Sequence, residues 1–168
     1  IDTNCIHSFT EEYVPEFVLC WLNSRLYNYV FECLFDGLRM SGGYLLFSAP
    51  NLKNTYIKHV SIADQQPFVD LADAMLALNK DLQEKRARFL HRLQDNMPEI
   101  KINGALETFY TLDFAGFVAE LKKQKIKLTL VQQDEWEEYF NAYKTECLSI
   151  KTEIENTDKE IDQMVYEL

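Results

Sequence analysis

The C-terminal segment, residues 134–168, repeats apolar side chains at alternating intervals of four and three residues. The positions that follow this pattern are Trp136, Phe140, Tyr143, Cys147, Ile150, Ile154, Thr157, Ile161, Met164 and Leu168. Because a mean spacing of about 3.5 residues places one apolar stripe along a helix, the pattern predicts a long helix with a coiled-coil seam.

A second long helix is predicted from Asp64 to about Asn96. Its apolar positions are also spaced by threes and fours, with Lys85 as an interruption: Phe68, Leu71, Met75, Leu78, Leu82, Phe89 and Leu93. Two such stripes in one chain can bury each other, which favours an antiparallel pair. We therefore predict a coiled-coil-like helical scaffold over residues 63–168, with a connecting loop at 97–111 and a short amphipathic helix at 113–125.

The N-terminal segment, residues 1–62, has a mixed pattern. A single helix is predicted at 11–35, whereas alternation of apolar and polar side chains predicts strands at 3–9, 44–48 and 55–62, with a turn at Ser41-Gly42-Gly43. The predicted fold class is therefore α+β and predominantly α. A small α+β unit at 1–62 precedes the helical scaffold at 63–168.

The charge is concentrated in the last helix. The chain has a net charge of −10, but residues 134–168 hold 11 acidic and 3 basic side chains, against 16 acidic and 14 basic side chains in residues 1–133. The sequence has no broad basic surface, so any contact with DNA is expected to be local.

No catalytic signature is present in the sequence. It lacks a P-loop, a GxGxxG turn, an HExxH helix and a GxSxG turn. Its four cysteines show no CxxC spacing and do not group with the three histidines, which predicts buried free thiols in the cytoplasm and no metal site. No apolar run is long enough to span a membrane. We expect the chain not to be an enzyme in itself and to need no cofactor of its own.

Three local segments stand out, and the second and third have both a structural and a functional interpretation. The segment LNSRLYN (22–28) is typical of helix packing. The segment SGGYLLFS (41–48) is a turn before a strand, or a place where the backbone approaches a phosphate. The segment KKQKIK (122–127) puts four lysines at a helix end, where they either complement the helix dipole or contact the phosphates of a duplex.

Taken in order, these segments resemble a known family. LNSRLYN, GGYLLFS, YIKHVSIADQQPFVDLADAMLALNKDL, and above all QDEWEEYFNAYK and TDKEIDQMVYEL resemble the TaqI-like C-terminal specificity domain of Eco57I-type (type IIG) restriction-modification enzymes and related adenine-N6 DNA methyltransferases. A looser similarity exists to the specificity subunits of type I restriction systems. The resemblance covers nearly the whole chain.

The resemblance implies a non-catalytic role in recognising and holding double-stranded DNA. Residues 1–62 would be the later part of a target-recognition domain, and the long helices would be a scaffold for the methyltransferase domain. The (N/D)PP(Y/F) motif and the S-adenosylmethionine site of the family lie in a domain N-terminal to this segment, and neither is in these residues. Because the chain opens with Ile1 rather than Met, we expect it to be part of a longer polypeptide.

The candidate DNA-binding residues all lie within residues 1–62. Arginine and lysine would meet phosphates or guanine edges, and asparagine could read adenine. The candidates are Arg39, Ser41, Gly42, Gly43, Tyr44, Lys53, Asn54 and Lys58. The alternative from a different class is a coiled-coil module that binds other proteins and does not contact DNA.

Overall fold

The computed structural model describes residues 11–38 and 47–168. Within these ranges the chain forms seven α-helices, α1 (Pro15–Asn23), α2 (Arg25–Phe35), α3 (Ala49–Lys53), α4 (Ile62–Asn96), α5 (Gly104–Glu107), α6 (Phe114–Lys123) and α7 (Leu130–Glu167). Two 3₁₀ turns, Asp36–Leu38 and Phe109–Thr111, follow α2 and α5.

The prediction of an α+β unit is wrong, because the described residues contain no strand. The segment 55–61 is irregular, and its polar backbone atoms bond side chains rather than a neighbouring strand. Trp21 Nε1 donates to the carbonyl of Tyr56 at 3.1 Å, and Gln65 Nε2 donates to that of Val60 at 2.9 Å. Ile57 and Val60, which are three residues apart, pack against the core of the first unit, so burial in this segment does not alternate as it would in a strand. The predicted strand at 3–9 and residues 44–46 lie outside the described residues, and Ser48 caps α3.

The predicted single helix at 11–35 is interrupted at Ser24. This residue is extended (φ −65°, ψ 150°), and its hydroxyl accepts the N–H of Tyr27, which makes it the N-cap of α2. The carboxylate of Asp162 accepts the N–H of Arg25 at 2.8 Å. Two free donors at the start of α2 are thereby satisfied, so the segment LNSRLYN has a structural role.

The chain divides into two compact units. The first consists of Ile1–Leu76 and Asn156–Leu168. Its core joins Phe17, Cys20 and Val60 to Phe68 and Ala72 of α4 and to Ile161 and Val165 of α7. Gln65 is fully buried there, where its side chain accepts the N–H of Val14 and donates to the carbonyl of Glu12. The predicted division at residue 62 stays a prediction.

The second unit is the continuous segment Ala77–Glu155. Phe89 is fully buried at the centre of this unit. The centroid of its ring lies 3.7 Å from that of Phe109 and 5.8 Å from that of Phe117. The region 97–111, predicted to be a connecting loop, therefore supplies core residues. The helix predicted at 113–125 is confirmed as α6, with Asp113 as its N-cap.

The seam predicted for the last helix is confirmed by burial. Every predicted position from Trp136 to Leu168 is buried or half-buried. Within the second unit α4 and α7 run antiparallel: Lys85 Nζ bonds Glu146 at 2.6 Å, and the later residue Phe89 contacts the earlier residues Tyr143 and Phe140. The helical scaffold is therefore compatible with the prediction.

Candidate functional site

The predicted DNA-binding residues fall in two groups. Arg39, Ser41, Gly42, Gly43 and Tyr44 lie outside the described residues. Lys53 ends α3, Asn54 is the C-cap of that helix and Lys58 lies in the irregular segment before α4, and all three are exposed. The side-chain amide of Asn54 donates to the carbonyl of Pro50 at 3.0 Å. It therefore completes the end of its own helix, while the two lysines extend into solvent.

A groove runs between α4 and α7 in the second unit. One part has a volume of about 530 Å³ and is lined by Ala87, Arg88, His91, Arg92, Asp95, Tyr139 and Tyr143. The adjoining part, about 350 Å³, is lined by Arg92, Asn96, Glu135, Trp136 and Tyr139. The two parts share Arg92 and Tyr139, so they form one surface, which we name the Arg–Tyr groove.

Tyr139 links the groove to the core beneath it. Its ring stacks on that of Phe89, with centroids 5.7 Å apart and planes 15° apart. Burial and a hydrogen bond with Tyr143 raise the pKa of Tyr139 to about 12, while a hydrogen bond with Arg92 opposes that rise. The phenol therefore stays protonated at neutral pH and holds the Arg92 guanidinium at the groove.

The remaining charged groups of the groove are exposed and weakly paired. Arg88 lies 3.7 Å from Glu84, and His91 Nδ1 lies 3.0 Å from Asp95, each one turn away on α4. Exposed pairs of this kind contribute at most about 0.5 kcal/mol and exchange readily. Two guanidiniums one turn apart can instead bind a carboxylate or phosphate with several donors.

The groove has the composition of a binding surface. Arginine, tyrosine and tryptophan are the residue types that dominate the free energy of protein association, because they combine large apolar area with fixed hydrogen-bond donors. A phenol with a pKa of about 12 is a poor acid or base at neutral pH. The arrangement therefore favours docking of a partner segment over catalysis.

Five lysines meet at the C-terminal end of α6. Four of them belong to KKQKIK: Lys122, Lys123, Lys125 and Lys127. The fifth, Lys101, is held here by two hydrogen bonds to the side chain of Gln124. The backbone N–H of Lys101 donates to Gln124 Oε1 at 2.7 Å, and Gln124 Nε2 donates to the carbonyl of Lys101 at 2.9 Å. We name this group the lysine cluster. All five side chains are exposed.

Lys125 lies in a backbone conformation that usually belongs to glycine. The N–H of Ile126 bonds the carbonyl of Leu121 at 3.0 Å, and the N–H of Lys125 bonds that of Lys122 at 2.9 Å, which is the Schellman arrangement. Lys125 has a φ of 65°. The left-handed region costs a residue with a Cβ about 1 kcal/mol. The helix end therefore keeps a lysine where glycine would be more stable.

One carboxylate lies against the lysine cluster. Glu120 is paired with Lys123 and accepts a hydrogen bond from Asn103 Nδ2 at 3.2 Å. These two donors lower the pKa of Glu120. Lys123 is thus neutralised locally, while Lys101, Lys125 and Lys127 form no ion pair with any residue that the structure describes.

The cysteines only partly follow the prediction. Cys20 and Cys147 are buried, and burial raises the pKa of each thiol to about 11. Cys33 is exposed on α2, which corrects the expectation that all four are buried; Cys5 lies outside the described residues.

Over residues 11–38 and 47–168, no group of histidine, cysteine and carboxylate side chains could hold a metal ion. In the same ranges no helix is long and apolar enough to cross a membrane.

The Arg–Tyr groove was missed at the level of sequence, whereas four of the five lysines of the lysine cluster, those of KKQKIK, were found there. Arg88 and Arg92, like Tyr139 and Tyr143, are four residues apart beside a predicted seam, and this repetition is the signal that could have indicated the groove. Their meeting depends on the register of the two helices. Lys101 carries no signal, since it is isolated in the sequence and belongs to a different segment from KKQKIK.

The chain was compared with family models, curated proteins and solved structures. A family model described as "Domain of unknown function (DUF8810)" matches residues 61–165. No curated protein and no solved structure matches the chain.

Proposed function

The chain belongs to the family described as Domain of unknown function (DUF8810), and we propose that it is a non-catalytic scaffold segment of a bacterial, cytoplasmic restriction-modification adenine-N6 DNA methyltransferase. In this role the helices bind the methyltransferase domain of the same polypeptide and help it to bind double-stranded DNA. S-adenosylmethionine binds to the methyltransferase domain, where the target adenine is flipped out and methylated.

The Arg–Tyr groove is the observation that carries this proposal. Its occupant is a segment of the methyltransferase domain that presents a carboxylate to Arg88 and Arg92. The phenol of Tyr139 preorganises Arg92, so less side-chain entropy is lost when the carboxylate binds. The ring of Tyr139 is supported by Phe89, which makes the floor of the groove rigid.

The position of the groove in the sequence supports the same interpretation. The groove residues that belong to α7 all lie within QDEWEEYFNAYK: Glu135, Trp136, Tyr139 and Tyr143. This is one of the two stretches in which the resemblance to the adenine-N6 methyltransferase family is strongest. Trp136 and Tyr143 are also seam positions that a plain coiled coil would use, whereas Glu135 and Tyr139 lie beside the seam and line the groove.

The first experiment tests the biological assignment. Deleting the gene that encodes this chain should remove N6-methyladenine from one recurrent sequence motif of the genome, measured by single-molecule sequencing. Restoring the intact gene should restore the modification. If every methylated motif persists in the deletion strain, the methyltransferase assignment is wrong and the protein-interaction coiled coil becomes the better account.

The second experiment tests the groove. In the full-length protein, Arg88→Ala combined with Arg92→Ala should slow methyl transfer to a DNA substrate by about 10-fold or more, because truncated interface arginines commonly cost about 2 kcal/mol or more. Lys80→Ala is the matched control, since Lys80 is an exposed cation of the same helix that does not line the groove. An equal rate for the double variant and the control would exclude the groove as the docking site.

A further inference from the structure

We infer that the lysine cluster is a binding site for the backbone phosphates of duplex DNA. The inference rests on the proposed function and deepens it, because it locates a DNA contact in the helical segment rather than within residues 1–62. Lysines placed in this way would position the duplex and would not read its sequence.

The local charge of the cluster has the correct sign for phosphates. Residues 98–102 and 120–128 together hold five lysines and two glutamates, a net charge of +3 in a chain whose net charge is −10. Glu120, one of the two glutamates, is already occupied by Lys123 and Asn103. Lys101, Lys125 and Lys127 therefore present uncompensated ammonium groups to solvent.

Complementing the helix dipole does not explain this number of lysines. The dipole acts over the last turn of a helix, and α6 already has Lys122 and Lys123 in its last turn. Lys125 and Lys127 follow the helix end. Lys101 comes from a different segment, which Gln124 holds at this end of α6 by two hydrogen bonds.

The backbone at Lys125 adds an independent argument. A glycine at this position would remove the strain of the left-handed conformation without disturbing either Schellman hydrogen bond. Residues held in sparsely populated backbone conformations cluster at functional sites. The lysine at this position therefore indicates that its ammonium group is needed beside those of Lys101 and Lys127.

The test uses the full-length protein and a fluorescent 30-base-pair duplex. Replacing Lys122, Lys125 and Lys127 by glutamine should weaken binding about 10- to 100-fold at 0.1 M salt. It should also reduce the slope of log Kd against log salt by about 3, since each phosphate contact contributes about 0.9 to that slope. The control carries the same charge change on three lysines outside the cluster: Lys80→Gln, Lys151→Gln and Lys159→Gln. Equal behaviour of the two triple variants would overturn the inference.

Two further variants separate the site from general charge and from misfolding. Lys125→Gly should raise Tm by a few degrees while weakening DNA binding about 3- to 10-fold, so that stability and binding move in opposite directions. Gln124→Ala leaves the charge unchanged but releases the segment that carries Lys101, and it should lower the salt slope by about 1. Unchanged binding by both variants would overturn the inference.

The outcome can be distinguished from failure of the proposed function. If the cluster variants bind DNA normally while genomic methylation depends on the gene, only the location of the contact is wrong. If the wild-type protein prefers vesicles with anionic lipids or single-stranded RNA over the duplex, and the lysine variants lose that preference, the cluster binds a different polyanion and the inference fails.

Discussion

Replacing Asp162 by alanine should destabilise the first unit far more than the loss of its ion pair with Arg25 alone would. Asp162 is 8 % exposed, and its carboxylate accepts the backbone N–H of Arg25 at 2.8 Å and pairs with Arg25 Nε at 3.0 Å. The side chain of Arg25 is 71 % exposed, so the ion pair itself contributes about 0.2–1 kcal/mol after screening by solvent. The charge-assisted bond to a backbone N–H contributes about 1.5–3 kcal/mol.

The two contributions can be separated because Arg25→Ala removes the ion pair and keeps the backbone N–H. We expect a loss in the free energy of unfolding of about 2–4 kcal/mol for Asp162→Ala and at most about 1 kcal/mol for Arg25→Ala. Asp158→Ala, an exposed carboxylate on the same helix, is the control. Urea denaturation followed by Trp21 fluorescence measures the difference in a Trp136→Phe background, where Trp21 is the only tryptophan. Equal losses for Asp162→Ala and Arg25→Ala would refute the capping argument.

Three further predictions concern the second unit and the thiols. Phe89→Ala should cost that unit about 3–5 kcal/mol, because a fully buried ring is lost, whereas the exposed Gln83→Ala should change stability by less than about 0.5 kcal/mol; Trp136 fluorescence in urea distinguishes them. Iodoacetamide at pH 8 should modify Cys33 long before Cys147, as read by peptide mass spectrometry, and equal rates would contradict the assigned burial. Because burial raises the pKa of Cys147 from 9.0 to about 11, only the unfolded chain loses this proton between those values, so stability should fall as pH rises from about 9 to 11. Cys147→Ala should reduce that fall, and an unchanged profile would contradict it.

The helices were largely predictable because their signals are periodic and local. The seam of α7 depends only on spacing along the chain, and burial follows it from Trp136 to Leu168. The strand predicted at 55–62 is wrong, because the alternation of apolar and polar residue types is not followed by an alternation of burial. The two side chains of this segment that contact the core, Ile57 and Val60, are three residues apart, and its carbonyls bond side chains. Alternation alone cannot identify the bonding partner.

Features that depend on contacts between residues far apart in the chain could not be predicted from the sequence. The break at Ser24 is stabilised by Asp162, which is 137 residues from Arg25. The Arg–Tyr groove needs the register that sets Arg92 beside Tyr139, and the lysine cluster needs the two bonds between Lys101 and Gln124. Each of these three features joins two segments of the chain, and the pattern of one segment does not indicate that it contacts the other.

The composition of the first unit has a consequence for synthesis on the ribosome. Its core requires Ile161 and Val165 together with Phe17 and Phe68, so it cannot form until Val165 has left the exit tunnel. The second unit is continuous from Ala77 to Glu155, and its contacts are available earlier. Among these residues, cotranslational folding should therefore begin in the second unit, and α1 and α2 should stay exposed to chaperones until the part of α7 that carries Ile161 and Val165 has emerged.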